Sequence, residues 1–374
     1  MKVLTIVGAR PQFIKAAVIS RAINEHNERN PCESITEVLV HTGQHYDQNM
    51  SEIFFNEMRI PKPAYYLGLG SGSHGTMTGR MLENIERIIE HEKPDVTLVY
   101  GDTNSTLAGA LAAVKLHVPL AHVEAGLRSF NMWMPEEVNR ILTDRISNWL
   151  FCPTDTAVSN LQKEGFCNGG TSGPFQGQQL VRNVGDVMFD AVLFYREIAH
   201  PTDKVASLTG EMKERFYLAT IHRAENSDDP VRLRNIVQSL NSISKTTPVV
   251  LPLHPRTRKS LEASNLLLQN IYWLEPVGYF DMVTLLANCK GVFTDSGGIQ
   301  KEAFFFYKPC ITLREETEWI ELVENGFSTL VGADIEKIFE AERNIGNQNL
   351  DYSKPLYGAG DAGKKIVQIL LEKS

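Results

Sequence analysis

The chain has 374 residues, a length that favours two domains over one, with the apolar and charged content of an ordinary globular protein. Its formal net charge of −8 argues against a nucleic-acid surface but leaves room for local cationic pockets. No apolar run is long enough to span a bilayer, and the five scattered cysteines (32, 152, 167, 289 and 310) include no C-x-x-C pair, which points to reduced thiols in a cytoplasm and away from disulfides or zinc.

In chain order, residues 2–7 read as a first strand, too short for a signal peptide, ending in Gly8-Ala9-Arg10-Pro11-Gln12 before a helical pattern over 13–23. Arg10 is placed at a strand's carboxyl end, where open α/β sheets bind ligands, and Lys15 can assist from the helix. A second strand over 37–41 leads into Thr42-Gly43-Gln44-His45. A helix over 77–91 precedes a strand over 95–100 that ends in Gly101-Asp102-Thr103. A helix rich in small residues follows over 107–116. The strand at 119–123 ends in Glu124-Ala125-Gly126-Leu127-Arg128. Pro135-Glu136-Glu137 opens a helix to 146, and a further strand (149–152) and helix (154–164) follow. The glycines at 68, 70, 72 and 75 resemble a cofactor loop but follow a Pro/Tyr-rich segment and no strand, so a dinucleotide reading is weak.

The Gly-rich run 165–177 breaks the alternation, and the domain boundary is placed there, at 172/173. Strands are then expected at 181–184, 216–221, 249–253, 271–274, 291–293, 309–313 and 328–331. Helices are expected at 187–200, 230–244, 335–345 and 361–371. Repeated strand–helix alternation predicts an α/β protein with two doubly wound, mostly parallel sheets.

Thr294-Asp295-Ser296-Gly297-Gly298-Ile299-Gln300-Lys301-Glu302 is the most informative stretch. A strand, a Ser-Gly-Gly turn and a helix start make an anion site, because free N–H groups of the first turn point at the ligand. Ser296 can cap the helix or donate to a phosphate, and Glu302 suits sugar hydroxyls. The plain alternative is an ordinary N-cap with a packing glycine. Strand ends also collect cations (Arg10, His222, Arg223, His254, Arg256, Arg314) that suit a diphosphate, and carboxylates (Asp102, Glu124, Glu136) that suit proton transfer. Each carboxylate has a structural alternative: Asp102 as an N-cap, Glu124 as a partner of Arg128 or Arg140, and Glu136 as a first-turn acid. His222 is either a satisfied core histidine or a polar site residue. No His/Cys/Asp set has metal spacing, and no G-x-S-x-G elbow is present.

Together, Gly8-Ala9-Arg10-Pro11, Thr42-Gly43-Gln44-His45, Gly101-Asp102-Thr103, His122-Val123-Glu124-Ala125-Gly126-Leu127-Arg128, Pro135-Glu136-Glu137-x-Asn139-Arg140, His222-Arg223 and Thr294-Asp295-Ser296-Gly297-Gly298 resemble, over almost the full chain, the non-hydrolysing UDP-N-acetylglucosamine 2-epimerase family. That resemblance implies the GT-B architecture: two Rossmann-like doubly wound domains facing across a cleft, here 1–172 joined by a C-terminal helix (358–374), and 173–357. It implies a cytoplasmic homodimer that binds a UDP-sugar and needs neither NAD nor metal. It assigns Asp102, Glu124 and Glu136 as acid/base carboxylates and His222 as the catalytic histidine near the leaving phosphate. Arg10, Ser296 and Gly297 are assigned to the diphosphate and Glu302 to the ribose. Lys15, Arg140 and Gly298 match other site positions, and His254, Tyr279, Arg314 and Trp319 complete the expected substrate set.

Members acting on plain UDP-N-acetylglucosamine typically carry Glu-Arg-Pro-Glu where this chain has Glu318-Trp319-Ile320-Glu321, and an acid where it has Lys301. Those residues, with Ser129-Phe130-Asn131-Met132 and Asn183-Val184-Gly185-Asp186, resemble the branch acting on UDP-2,3-diacetamido-2,3-dideoxy-glucuronate, which makes the manno epimer for surface polysaccharide. The alternatives are UDP-N-acetylglucosamine itself as substrate, or a GT-B glycosyltransferase. Gln44 and His45 lie where some members bind a second substrate molecule, but the adjoining Arg-Gln motif is missing from 68–78, so such activation is expected to be weak or absent.

Overall fold

The computed structural model describes residues 1–44, 61–166, 179–346 and 350–372, without the side chain of Arg10. His45, Cys167 and the expected boundary at 172/173 lie outside the described residues. The chain divides into two compact units, one of Met1–Ala191 with Pro355–Ser374 and one of Val192–Lys354.

In the first unit, β1 (Lys2–Val7), β2 (Thr36–His41), β3 (Tyr65–Tyr66), β4 (Val96–Tyr100), β5 (Leu120–Val123), β6 (Trp149–Cys152) and β7 (Leu180–Asn183) form a parallel sheet in the order β3-β2-β1-β4-β5-β6-β7. All five residues of β4 are buried, because helices cover both faces of a parallel sheet and no alternation survives. The helix Asn104–Lys115 approaches closely through its small residues: a Cβ on Gly109 would lie 2.7 Å from Ile6 Cδ1. The helix Ala362–Glu372 lies against the helix Arg10–Arg29, where a Cβ on Gly363 would come 2.8 Å from Val18 Cγ1.

The division differs from the expected 172/173. The strand expected to open the second domain is β7, and it pairs in parallel with β6 at the free edge of the first sheet. A Gly-rich run marks a chain break but does not distinguish a domain linker from a crossover within one sheet. The short β3 also precedes Gly68, in the Pro/Tyr-rich segment where the sequence predicts no strand.

In the second unit, β8 (Tyr217–Thr220), β9 (Val249–Pro252), β10 (Ile271–Leu274), β11 (Gly291–Thr294), β12 (Cys310–Thr312) and β13 (Ser328–Leu330) run parallel in the order β10-β9-β8-β11-β12-β13. Its core joins Phe293 and Tyr217, edge to face at 5.2 Å, to Leu233, Ile236 and Leu240 of the helix Pro230–Ile243. Both sheets are thus doubly wound. Their strand order reverses between β1 and β4 and between β8 and β11, the places where such sheets hold ligands beyond the strand ends. No helix of the described residues is long and apolar enough to cross a membrane.

Candidate active site

In the first unit the two loops at the β1/β4 reversal are tied by one buried side chain. Gln12 Oε1 accepts the N–H groups of Gly8 (2.8 Å) and Ala9 (3.0 Å). Its Nε2 donates to Tyr100 O (2.7 Å), Thr106 Oγ1 (2.9 Å) and Thr103 Oγ1 (3.0 Å). A side chain at Gly8 would overlap the hydroxyls of Thr42 and Ser105, which bond each other at 2.8 Å. Arg10 begins the helix that follows, but its side chain lies outside the described residues.

Thr103, not Asp102, caps the helix Asn104–Lys115, and its hydroxyl accepts the Thr106 N–H. The Asp102 carboxylate, about 29% exposed, is left to pair with Arg140. Glu124 leaves β5 at φ 73°, a left-handed conformation unusual for a non-glycine residue and common at functional sites. Its carboxylate pairs with Lys15, both nearly buried. Of the other arginines considered for it, Arg128 pairs with Asp144 and Glu164, and Arg140 pairs with Asp102 and Glu137. Gly101 (φ 60°) faces this pair, with an ideal Cβ only 3.2 Å from Glu124 Oε2 and 3.4 Å from Lys15 Nζ. Glu136 sits exposed in the first turn of the helix Pro135–Ile146.

Behind the carboxylates lies a buried polar layer. His122 Nδ1 is 2.7 Å from Asp144 Oδ1, and Nε2 is 2.7 Å from Gly101 O. Arg128 bridges Asp144 (2.7 Å) and Glu164 (2.6 Å). Burial works to raise the Asp144 carboxyl, but His122 and Arg128 bring it below the ordinary range. Burial likewise opposes the Arg128 charge, and its two carboxylate partners outweigh it.

In the second unit the site begins where β8 and β11 end side by side. The buried Asp295 carboxylate accepts the backbone N–H groups of His222 and Arg223 at 3.1 Å and the Asn226 amide at 3.2 Å. His222 Nδ1 lies 3.2 Å from the same carboxylate, and the imidazole is 40% exposed, so His222 is no core histidine. Burial pushes the Asp295 carboxyl up, but His222, Asn226 and the Arg223 N–H carry it below its ordinary value. His254 stands 5.9 Å from His222, ring to ring, and caps the helix Pro255–Ala263 by accepting the Arg256 N–H. Burial, then His222 and Arg256, lower its affinity for a proton.

Ser296 is the N-cap of the helix Gly297–Phe305, accepting the Ile299 N–H at 3.4 Å. A side chain at Gly297 would overlap the Glu318 carboxylate, which Arg314, itself buried, holds at 3.0 Å. A Cβ on Gly298 would meet Ser296 Oγ at 3.9 Å, an ordinary contact. Glu302 is buried one turn on. Beside it Lys301 places its ammonium 4.0 Å from the centroid of the Trp319 ring, both residues buried. Tyr279 is buried edge to face on Tyr195 at 5.5 Å. Among the described residues no group of three His, Cys, Asp or Glu could hold a metal ion.

Residues that the sequence reading did not single out do much of the positioning. Gln12 had a signal, a Gln three residues past the cap position. Glu137 had one too: 137, 140 and 144 share one helical face, and that face is buried. Asp295 had none of its own, since its contacts depend on strands whose paired residues are 74 apart in sequence.

A family model described as UDP-N-acetylglucosamine 2-epimerase matches residues 27–371. The chain is 54% identical over 371 residues, 99% of each chain, to the UDP-2,3-diacetamido-2,3-dideoxy-D-glucuronate 2-epimerase of Pseudomonas aeruginosa. It is 48% identical, over 99% of each chain, to a UDP-N-acetylglucosamine 2-epimerase homolog of Methanococcus maripaludis. The crystal structure of the Methanocaldococcus jannaschii UDP-N-acetylglucosamine 2-epimerase, in complex with UDP-N-acetylglucosamine and UDP, matches with a TM-score of 0.88 at 42% identity over the whole of both chains.

Proposed function

We propose that this chain, which belongs to the UDP-N-acetylglucosamine 2-epimerase family and is a nucleotide-sugar 2-epimerase, acts on UDP-2,3-diacetamido-2,3-dideoxy-glucuronate and forms its manno epimer for surface polysaccharide. The observation that carries the substrate is the 54% identity to the Pseudomonas aeruginosa protein of that activity. The buried pairing of Lys301 with Trp319, at positions where members acting on the simpler sugar typically carry an acid and an arginine, supports the same branch.

The C2 proton of the sugar is not acidic, so its removal is coupled to loss of UDP from C1. The C2–H and C1–O bonds break in an anti elimination, a C1=C2 double bond forms, and the C1–O electron pair leaves with the diphosphate. The proton passes to a carboxylate. A proton then returns to the opposite face of C2, and a diphosphate oxygen re-forms the bond at C1. The sequence is redox-neutral and needs no cofactor. Asp102, Glu124 and Glu136 are the acid/base groups of this route. His222 meets the leaving phosphate, and Arg10, Ser296 and Gly297 hold the diphosphate. Glu302 takes the ribose. Lys15, Arg140, His254, Tyr279, Gly298, Arg314 and Trp319 complete the substrate set. The enzyme works as a cytoplasmic homodimer.

A second reading, epimerisation of plain UDP-N-acetylglucosamine, is favoured by the Methanocaldococcus jannaschii relative, whose structure holds that sugar nucleotide. Proton NMR in D2O with each substrate separates the two. Deuterium at C2 of the diacetamido uronate alone, with a manno product, supports the first; exchange with UDP-N-acetylglucosamine alone supports the second.

A further inference from the structure

Glu137, immediately after the exposed Glu136, is 1% exposed and accepts from four donors. Oε2 takes Ser129 N (2.9 Å), Ser129 Oγ (2.9 Å) and Arg140 NH1 (2.9 Å), and Oε1 takes Phe130 N (3.1 Å). Arg140, also buried, sends its other terminal nitrogen to Asp102. One planar guanidinium is therefore shared between two carboxylates, one buried and one partly exposed. Asn139 of the same helix donates to Asp102 O at 2.9 Å and fixes the backbone of that residue. The Ser129–Phe130 backbone held by Glu137 includes Phe130 at φ 58°, a conformation that needs outside restraint.

We propose that Glu137 is a positioning residue for the epimerisation: by fixing one arm of Arg140 it holds the other arm, and with it Asp102, in the orientation needed for proton transfer. This inference rests on the role given to Asp102 above. A guanidinium fork has a rigid plane, so a carboxylate on one side dictates where the other side points. Without the Glu137 carboxylate the NH1 arm loses that hold, and the plane of the fork shifts relative to Asp102. The carboxylate then moves with it, and small displacements of a proton-transfer group are costly.

The test compares Glu137→Gln, Ser129→Ala and Asp102→Asn in the full-length enzyme, by C2 deuterium exchange, kcat, KM, UDP affinity by calorimetry and thermal midpoint. In Glu137→Gln, kcat and exchange should fall about 100-fold while the Kd for UDP stays within about threefold. Ser129→Ala, which removes one donor from Glu137 and leaves Arg140 untouched, should keep kcat within about threefold of the parent. A double-mutant cycle of Glu137→Gln with Arg140→Lys should be strongly non-additive, because both break one arrangement. Additive losses, a Ser129→Ala defect equal to that of Glu137→Gln, or UDP affinity falling in step with kcat would each overturn the proposal. An inactive Asp102→Asn beside a fully active Glu137→Gln overturns this inference alone. An active Asp102→Asn instead overturns the role given to Asp102 and this inference with it.

Discussion

The imidazole Nδ1 of His222 lies 3.2 Å from the Asp295 carboxylate, which is buried and already receives the backbone N–H groups of His222 and Arg223. One group thus fixes both the main chain and the ring of His222, leaving Nε2 as the nitrogen available to a ligand.

Asp295→Asn tests that arrangement. The amide would turn an N–H toward donors, at a cost of about 1–3 kcal/mol. Turnover should fall more than UDP affinity does. The sign of the pH effect follows from the lowered Asp295 carboxyl. Its contribution to stability is present above the ordinary aspartate value of ~3.9 and is lost as pH falls through the lower folded value. Acid unfolding followed by circular dichroism should therefore lose a component at the acid end in the variant.

Glu124 and Glu136 should separate when catalysis and stability are measured together. Both Glu124→Gln and Glu136→Gln should abolish C2 exchange and leave UDP binding largely intact. Glu124→Gln also strands the buried Lys15 ammonium, at a cost of roughly 3–5 kcal/mol. Glu136 is exposed, so Glu136→Gln should unfold in urea within about 0.5 kcal/mol of the parent. A Glu136→Gln enzyme with normal turnover would remove Glu136 from the catalytic set.

Gly101→Ala should harm both fold and function. The residue has φ 60°, and a Cβ would press on the Glu124–Lys15 pair at 3.2 and 3.4 Å. The backbone term alone costs about 1–2 kcal/mol. A urea midpoint unchanged from the parent would count against this account.

Asp190 gives a pH prediction of opposite sign. Burial, with Asp186 and Asp361 adding to it, raises its carboxyl to about 6 against the pull of the Gly363 and Ala362 N–H groups. A raised acid costs stability once it must ionise, so the loss grows as pH rises from ~3.9 and is complete above the folded value. Asp190→Asn should therefore stabilise at pH 8, by up to about 3 kcal/mol, and do little at pH 4. Denaturant unfolding at the two pH values provides the check.

Trp319→Arg should bring a second cation against the buried Lys301 ammonium, now 4.0 Å from the ring centroid. The single change should destabilise by several kcal/mol, on the order of the cost of an unpaired buried charge. Adding Lys301→Glu should recover most of that loss, and a cycle on urea stability with no coupling would show that the two residues act independently.

The doubly wound α/β class was legible because strand-length apolar runs alternate with helical periodicity from Lys2 onward. The residues at the strand ends, Asp102, Glu124, His222 and Ser296, were legible because parallel α/β sheets gather their polar groups at one edge. Partners were not. Asp102 carries an N-cap as its structural alternative, but Thr103 takes that place; Glu124 carries Arg128 or Arg140 as alternative partners, and the pair it forms with Lys15 is not visible in the sequence. The Gly-rich run looked like a domain linker until β7 joined the edge of the first sheet. Periodicity and spacing are local quantities, so they were enough to say which elements form and which residue types stand at the strand ends. Ion pairing and strand order depend on which distant segments share a neighbourhood, so only the tertiary structure decided that Gln12 ties the Gly8 and Tyr100 loops together, that Glu137 meets Arg140 and that Asp295 receives the His222 and Arg223 main chain.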